Sequence, residues 1–322
     1  MANELIWSYL IHLSNHMWDD PLSGPRGAYR KPAYEENNDT DLAVWDEVIK
    51  NLGIFRFNTV VIDLGDAVQY ESHPEIAAPD AWSKDFLRKK LDEIRALGIE
   101  PIPKLNFSAC HDYWMKDYHR MVSTPVYYAF CRDIIKEVCE LFDSPRFFHL
   151  GMDEETYRYQ RYCDVAIIRN QPMWIHDLHF FAEECRKNNA RPMMWGGMAK
   201  FYREAFENEV DRDIVMTTGF YGRYVHPWEE PKSEDPEAFY GPDLYRFYNK
   251  LGFDQIPCGS TWNYHRNQEQ LLGFGKNELD PAHLLGYMTA SWLHTKPRER
   301  YGLLHDAEKF YYARKEWYPE TL

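Results

Sequence analysis

Two neighbouring carboxylates, Asp153 and Glu154, follow the apolar segment Arg146–Gly151. Cleavage of a glycosidic bond needs one protonated acid at the leaving oxygen and a second group that stabilises the oxocarbenium-like centre. Asp153 and Glu154 are candidates for both tasks. Consecutive residues of a regular strand point to opposite faces, so both can serve one pocket only if the backbone twists or bulges there. We therefore predict an irregular backbone at the end of this segment.

Other polar and aromatic residues also stand at or just after the ends of apolar segments. The predicted substrate contacts among them are Asp63, Asn106, His111, His149, Trp195, Tyr221, Trp262 and Trp292. A single tryptophan in such a position is more often part of the core. Tryptophans that recur after several of these segments favour instead a pocket with aromatic walls. Such walls above carboxylates suit a carbohydrate, whose C–H faces stack on rings while its hydroxyls form hydrogen bonds.

Strands and helices that alternate along the chain must position these residues. The predicted strands are Leu5–Leu13, Asn58–Leu64, Glu100–Phe107, Arg146–Gly151, Pro192–Gly196, Ile214–Thr218, Gln255–Thr261 and Leu284–Trp292. The predicted helices are Asp41–Leu52, Ser83–Leu97, Thr124–Phe142, Trp174–Asn188, Phe201–Asn208, Pro242–Leu251, a short region after Asn267, and His305–Trp317. Nearly continuous apolar strands indicate a parallel sheet covered by helices, and eight strands close a barrel.

The predicted fold is therefore α/β, a single (β/α)₈ TIM barrel over residues 1–322. A doubly wound open sheet is the competing interpretation, but neither G-x-G-x-x-G nor a Walker loop follows the first strand. We accordingly expect no cofactor. In such barrels the catalytic groups lie where strands run into the following loops, which is where Asp153 and Glu154 stand.

The segment His149-Leu-Gly-Met-Asp-Glu154 resembles the H-x-G-G-D-E motif on strand four of family 20 glycoside hydrolases, the β-N-acetylhexosaminidases. Ile102-Pro-Lys-Leu-Asn106, with His111 shortly after, is similar to that family's I-P-E-I-D segment and its following histidine. The resemblance implies a (β/α)₈ catalytic domain. It also implies that Asp153 orients the 2-acetamido group of the substrate, which attacks the anomeric carbon, while Glu154 is the general acid.

The same resemblance implies supporting roles for other residues. His149 is expected to form hydrogen bonds behind the site. Tyr221 matches by place a contact to the acetamido group, and Trp262 matches a pocket wall. The chain departs from the family pattern at Met152, Lys104 and Asn106, and it has Trp292-Leu-His294 where the family shows W-x-E. These departures affect groups that hold the outer sugar hydroxyls, so the identity of the sugar stays open.

Composition excludes some classes of partner. The formal net charge is −14, with both signs mixed along the chain, so a nucleic-acid partner is not expected. No apolar run is long enough for a membrane helix, and the start lacks the layout of a signal peptide. We expect a soluble, cytoplasmic protein unless a leader has been removed. The six cysteines show no zinc-ligand spacing and are interpreted as buried thiols.

Several alternatives remain at this stage. The run from Asp153 to Glu155 could be a surface acidic run that caps the next helix. For a substrate without an acetamido group, Asp63 or Asp66 could act as nucleophile or base. His16, His111, His149 and Asp63 could bind a metal, although no H-x-H or H-E-x-x-H spacing occurs and none is expected. The barrel could also bind a carbohydrate without catalysis.

Overall fold

A computed structural model describes residues 4–16, 36–153, 155–160, 166–223 and 241–322. Within them the strands are β1 Ile6–His12, β2 Thr59–Asp63, β3 Glu100–Lys104, β4 Phe147–His149, β5 Arg191–Met194, β6 Val215–Met216, β7 Cys258–Gly259 and β8 Gly286–Ala290. All pairs are parallel, in the order β6-β5-β4-β3-β2-β1-β8-β7. The parallel bridges Met216–Gln255 and Gly219–Cys258 join the two ends. The predicted (β/α)₈ barrel is confirmed.

Helices alternate with these strands. They are α1 Leu42–Ile54, α2 Lys84–Ala96, α3 Pro125–Leu141, α4 Tyr157–Gln160, α5 Gln171–Lys187, α6 Arg203–Asn208, α7 Pro242–Leu251, α8 Asn267–Glu278 and α9 Arg300–Trp317. The ends of α2 have clear local causes: the Ser83 side chain accepts from the Phe86 amide at the start, and Gly98 follows the helix with φ +76°. None of the described helices is long and apolar enough to cross a membrane.

Some predicted boundaries are wrong. Helix α9 begins at Arg300 rather than His305, and α5 begins at Gln171 rather than Trp174. The Asn170 side chain accepts from the Met173 amide, and a proline stands in the first turn, so α5 starts a turn earlier than its apolar residues indicate. Strand β7 has only two residues: Pro257, just before it, cannot donate to the ladder, and the Ser260 amide after it donates to Asn267 Oδ1.

The alternation of side chains along the strands divides the apolar residues into two layers. Trp7, Tyr9 and Ile11 of β1 pack against the helices. Ile6 and Leu10 face the barrel interior, where they pack with residues such as Val61 and Ile102. Side chains two positions apart on a strand point to the same face. The residue two positions after the last interior apolar residue of a strand therefore also points into the barrel. The alternation of side chains thus places polar residues inside the barrel at the carboxyl ends of its strands.

The cysteine interpretation holds for the described residues. Cys131, Cys139, Cys185 and Cys258 are buried free thiols, and Cys110 is buried as well. Cys163 lies outside the described residues.

Candidate active site

A polar layer crosses the barrel interior at the carboxyl ends of β1 to β4. His12 is the register partner of Asp63, Asp63 of Lys104, and Lys104 of His149. Lys104 and Asp63 form a buried ion pair: Lys104 donates to Asp63 Oδ2, and His12 Nδ1 lies 3.4 Å from the same oxygen. These four residues form the floor beneath the strand ends.

The charge of this floor is balanced within it. Burial raises the pKa of Asp63, but Lys104 and then His12 lower it, and the net pKa lies below its usual value. Asp63 is therefore an ionised carboxylate held by the Lys104 ammonium, with 1% of its surface exposed. Its assignment as a substrate contact stays a prediction.

His149 lies at the other end of the floor. Burial, followed by the positive charge of Lys104, lowers the pKa of His149 well below its usual value, so the ring is neutral. Its Nδ1 accepts from the Gly151 amide at 3.1 Å, which leaves Nε2–H to donate to Thr217 Oγ1 at 2.6 Å. Thr217 in turn donates to the Met194 carbonyl at 2.8 Å. A neutral, fully engaged imidazole fits the hydrogen-bonding role expected of it.

The backbone turns sharply after β4. Gly151 has φ +70° and Met152 has φ +65°, so two successive residues adopt the left-handed region. A Cβ on Gly151 would lie 2.1 Å from Asn106 Oδ1 and 2.8 Å from Asn106 Cα, so only glycine fits against this neighbour. The irregular backbone predicted at the end of this strand is present immediately before Asp153.

Asp153 is held by the loop that follows β3. Asn106 Nδ2 donates to Asp153 Oδ1 at 2.9 Å, and Ser108 Oγ donates to the Asp153 carbonyl. His111 Nε2 lies 3.7 Å from Asp153 Oδ2. The Asp153 side chain keeps 18% of its surface exposed, so the carboxylate is oriented on one side and accessible on another. Such an acceptor can receive an N–H from a bound molecule.

Aromatic rings line the interior beside this floor. The Trp195 ring lies 4.7 Å from the His149 ring and 5.6 Å from that of Trp292. Trp292 contacts the rings of Tyr221 and His12, each at 5.8 Å. The predicted aromatic contacts of β5, β6 and β8 thus form one continuous wall. Trp292 has φ +57°, an uncommon conformation for a bulky residue.

Trp262 is separate from this wall. It follows β7, and 57% of its surface is exposed, whereas Trp195 is 4% exposed. Its amide donates to Ser260 Oγ at 3.0 Å, which fixes the backbone but leaves the ring in solvent. An exposed indole at the carboxyl end of a barrel strand can offer a stacking face to a second sugar unit.

Most of the predicted contacts therefore lie in two groups of side chains that contact one another within each group, while Trp262 is separate from both. Asn106, His111 and Asp153 form the first group, and His149 links the second, aromatic group to the floor with Asp63. Glu154, the predicted general acid, lies outside the described residues. The roles of all these residues stay predictions.

Glu155 and Arg169, for which the sequence predicted no catalytic or binding role, complete the surroundings of Asp153. Glu155 is 1% exposed and pairs with Arg169, itself 2% exposed. Its burial shows that this part of the acidic run is not at the surface. The sequence signal was weak, because Arg169 stands 14 positions away in a segment with no periodic pattern.

The alternative carboxylates at the end of β2 are both enclosed. Asp66 is fully buried and contacts His16 Nδ1 at 2.5 Å and Lys116 Nζ at 2.8 Å. Asp63 pairs with Lys104, as described above. Among the described residues, no three His, Cys, Asp or Glu side chains are grouped so that they could hold a metal ion.

The fold and this arrangement define a (β/α)₈-barrel protein with an oriented carboxylate after its fourth strand. Solved structures of family 20 glycoside hydrolases share the fold. The exo-β-N-acetylglucosaminidase of Vibrio harveyi, solved with N-acetylglucosamine, superposes with a TM-score of 0.60 at 14% identity, over 99% of this chain and 57% of that one. The chitobiase of Flavobacterium johnsoniae gives 0.62 at 14% identity, over 86% and 47%.

The β-N-acetylhexosaminidase of Streptomyces coelicolor gives a TM-score of 0.63 at 11% identity, over 94% of this chain and 63% of that one. No protein-family model and no curated protein sequence matches the chain. The remote resemblance to family 20 is thus confirmed at the level of the fold. The chain spans between 47% and 63% of the length of these three structures.

Proposed function

We propose that this chain is a glycoside hydrolase of the hexosaminidase type, acting on β-N-acetylhexosaminides by substrate-assisted retaining hydrolysis. The observation that carries the proposal is the placement of Asp153: a carboxylate after β4, oriented by Asn106 and still 18% exposed. The named family 20 neighbours, one of them solved with N-acetylglucosamine, support this class of substrate.

In the proposed reaction, Asp153 accepts a hydrogen bond from the acetamido N–H of the substrate and stabilises the charge that develops on that group. The acetamido oxygen attacks the anomeric carbon while the bond to the leaving oxygen breaks. Glu154 donates its proton to that oxygen. Water then attacks the anomeric carbon from the face that the leaving group vacated, and the bond between that carbon and the acetamido oxygen breaks, which regenerates the acetamido group. The water gives its proton to Glu154, and two inversions leave the anomeric configuration retained.

The alternative with an enzymic nucleophile at the end of β2 has less support. Asp63 and Asp66 are both buried and neutralised by cationic partners. A nucleophile must approach the anomeric carbon directly, which two enclosed carboxylates do not favour. The substrate's own acetamido oxygen removes the need for such a group.

A panel of aryl glycosides with and without a 2-acetamido group tests the proposal. We expect hydrolysis of the acetamido sugars alone, with retention at the anomeric carbon. Glu154→Gln should lower kcat by roughly 10²- to 10⁴-fold, the usual contribution of a general acid. Asp153→Asn should lower kcat for the same substrates. Glu140→Gln, an exposed carboxylate on α3, is the matched control and should leave kcat unchanged.

Two results would contradict the proposal. Equal hydrolysis of glycosides that lack the acetamido group would show that the substrate does not assist its own cleavage. A parent protein that is inactive on the whole panel yet binds N-acetylglucosamine in calorimetry would be a non-catalytic carbohydrate-binding barrel.

A further inference from the structure

A buried ion-pair cluster lies directly behind Asp153. At its centre is the Arg169 guanidinium. Arg169 Nε donates to Glu155 Oε1 at 2.8 Å, and Nη2 donates to Glu155 Oε2, so the pair is bidentate. Nη1 donates to Asp177 Oδ2 at 2.9 Å, and Nη2 also donates to the Phe107 carbonyl at 2.9 Å. This planar group therefore joins three separate segments of the chain.

The three segments are those that fix the candidate site. Phe107 lies in the loop after β3, whose neighbours Asn106 and Ser108 hold Asp153. Glu155 lies two residues beyond Asp153, and its Oε2 also accepts from the Ala109 amide at 3.0 Å. Asp177 lies on the 17-residue helix α5. The loops on both sides of Asp153 are thus fastened to one rigid helix.

The helix side of the cluster is itself well anchored. The Asp177 carboxylate accepts from Ser123 Oγ at 2.6 Å and from the Tyr128 hydroxyl. The Arg169 amide donates to Glu155 Oε1 at 2.9 Å, and the Arg169 carbonyl accepts from the Tyr202 hydroxyl at 2.9 Å. Both the backbone and the side chain of Arg169 are therefore fixed. These hydrogen bonds hold the Arg169 guanidinium in one position relative to α5.

Arg169 carries one positive charge and pairs with two buried carboxylates, Glu155 and Asp177. A third buried carboxyl, Asp112, is held neutral, because burial and then the negative charge of Glu155 raise its pKa well above the usual value. Within the described part of the chain, neither Asp112 oxygen accepts a hydrogen bond. A neutral Asp112 does not compete for Arg169, whose fork is directed to Glu155 and Asp177. A lysine could not reproduce four directed hydrogen bonds from a planar group.

We propose that Arg169 is a positioning residue: its guanidinium clamps the loops after β3 and β4 to α5 and thereby fixes the orientation of Asp153. The effect on catalysis rests on the function proposed above, whereas the effect on the loops does not. Arg169→Lys keeps the charge and removes the fork. Glu155→Gln keeps the shape of the partner and removes its charge.

Arg186→Lys is the matched control. Arg186 stands on α5, the helix that carries Asp177, and also forks between two carboxylates, with Nη2 2.8 Å from Asp211 and 2.7 Å from Asp213. Those aspartates precede β6, at the opposite end of the barrel from Asp153. Its loss should affect neither loop.

Amide hydrogen exchange tests the clamp without any assumption about activity. In Arg169→Lys we expect faster exchange in the peptides that carry Phe107 and Ala109 and in the one that carries Met152. The increase should be roughly tenfold or more, since a hydrogen bond to a charged group is worth at least that factor. Arg186→Lys should leave these peptides unchanged. Equal exchange in the two variants overturns the proposal.

Kinetics on an acetamido aryl glycoside test the consequence for catalysis, with each variant assayed where circular dichroism shows it folded. Arg169→Lys and Glu155→Gln should lower kcat, on the order of 100-fold for Arg169→Lys, with little change in KM. A stability defect alone would lower the apparent kcat only in proportion to the folded fraction, so kcat is calculated per folded molecule. An unchanged kcat per folded molecule overturns the role in catalysis. An inactive parent overturns the proposed function, and the exchange result then decides the clamp by itself.

Discussion

Asn106 Nδ2 donates to Asp153 Oδ1 at 2.9 Å, while Asn106 Oδ1 accepts from the Ser108 amide at 3.0 Å and the Met152 amide at 3.3 Å. One amide side chain thus uses its two ends differently. The oxygen fixes the turns after β3 and β4, and the nitrogen orients the carboxylate. The family 20 pattern has an aspartate in this place, so the donor to Asp153 is a property of this chain.

Asn106→Asp should therefore be destabilising at neutral pH, although it restores the family residue. It replaces the donor with a second carboxylate beside Asp153, and two like charges at this distance raise the pKa of the pair. A carboxyl whose pKa is raised in the folded state destabilises it above the unfolded pKa, and this penalty disappears as the pH falls below that value. Urea unfolding should show a loss of about 1–3 kcal/mol at pH 7.5.

The same measurement at pH 4 should bring variant and parent closer together. An Asn106→Asp protein that is as stable as the parent at pH 7.5 would show that Asp153 does not depend on this donor.

Gly151 carries a second prediction, because its backbone touches Asn106. Gly151→Ala should destabilise the fold strongly and abolish activity, since the new Cβ would collide with both Oδ1 and Cα of Asn106. The left-handed φ alone costs about 1–2 kcal/mol for an alanine. Gly98→Ala is the control: Gly98 has φ +76°, and nothing lies within 4 Å of a Cβ there. Thermal unfolding should show a clearly larger loss for Gly151→Ala, and equal losses would contradict the close-packing argument.

The contrast between these two glycines also shows what the sequence could reveal. Gly98 was readable as a helix stop because it follows an apolar periodic segment. Gly151 was readable as part of a motif, but its contact with Asn106 depends on how β3 and β4 are placed side by side. A local sequence pattern predicts the backbone conformation of a glycine. It does not specify which side chain, distant in sequence, packs against that glycine.

The barrel itself was predictable because eight apolar strands alternate with helices along the whole chain. The floor was only partly predictable. Asp63 and His149 were singled out, but the Asp63–Lys104 pair requires the register of β2 and β3. Arg169 lies in an irregular segment before α5, so no periodicity marked it. Its role follows from three contacts that only the folded chain brings together.

His149 supports a prediction about pH. Its pKa is lowered in the folded state by burial and by Lys104, so the unfolded chain binds a proton that the folded chain does not. Stability should therefore fall as the pH drops below about 6.5, the unfolded value, by up to about 1.4 kcal/mol per pH unit for one proton. His12 adds a contribution of the same sign.

His149→Gln removes the titrating group and leaves an amide that can donate to Thr217. Urea unfolding between pH 7.5 and pH 5.5 should give a shallower slope for this variant than for the parent. The His12 contribution is common to both proteins and cancels in the difference. Parallel slopes would mean that His149 is protonated in the folded state, which would contradict its arrangement as a donor from Nε2 and an acceptor at Nδ1.

Trp262 and Trp195 differ in burial, so replacing each with alanine distinguishes a ring that packs in the core from a ring that is available to bind substrate. Trp262→Ala should leave the free energy of unfolding within about 0.5 kcal/mol of the parent, because its ring is mostly in solvent. Trp195→Ala should cost about 3–5 kcal/mol, since a buried ring that packs on His149 and Trp292 is lost. Chemical unfolding of both variants checks this difference.

Kinetic measurements then test whether the exposed Trp262 ring contacts a second sugar unit. With a substrate of two or more sugar units, Trp262→Ala should raise KM by about threefold to tenfold, the worth of one stacking contact, with kcat unchanged. With an aryl monosaccharide the effect should be smaller, because fewer sugar units are present to reach the ring. Tyr312→Ala, which removes a comparably exposed ring on α9, should change neither constant. An equal rise in KM for both substrates would place Trp262 in the pocket that holds the first sugar, rather than beyond it.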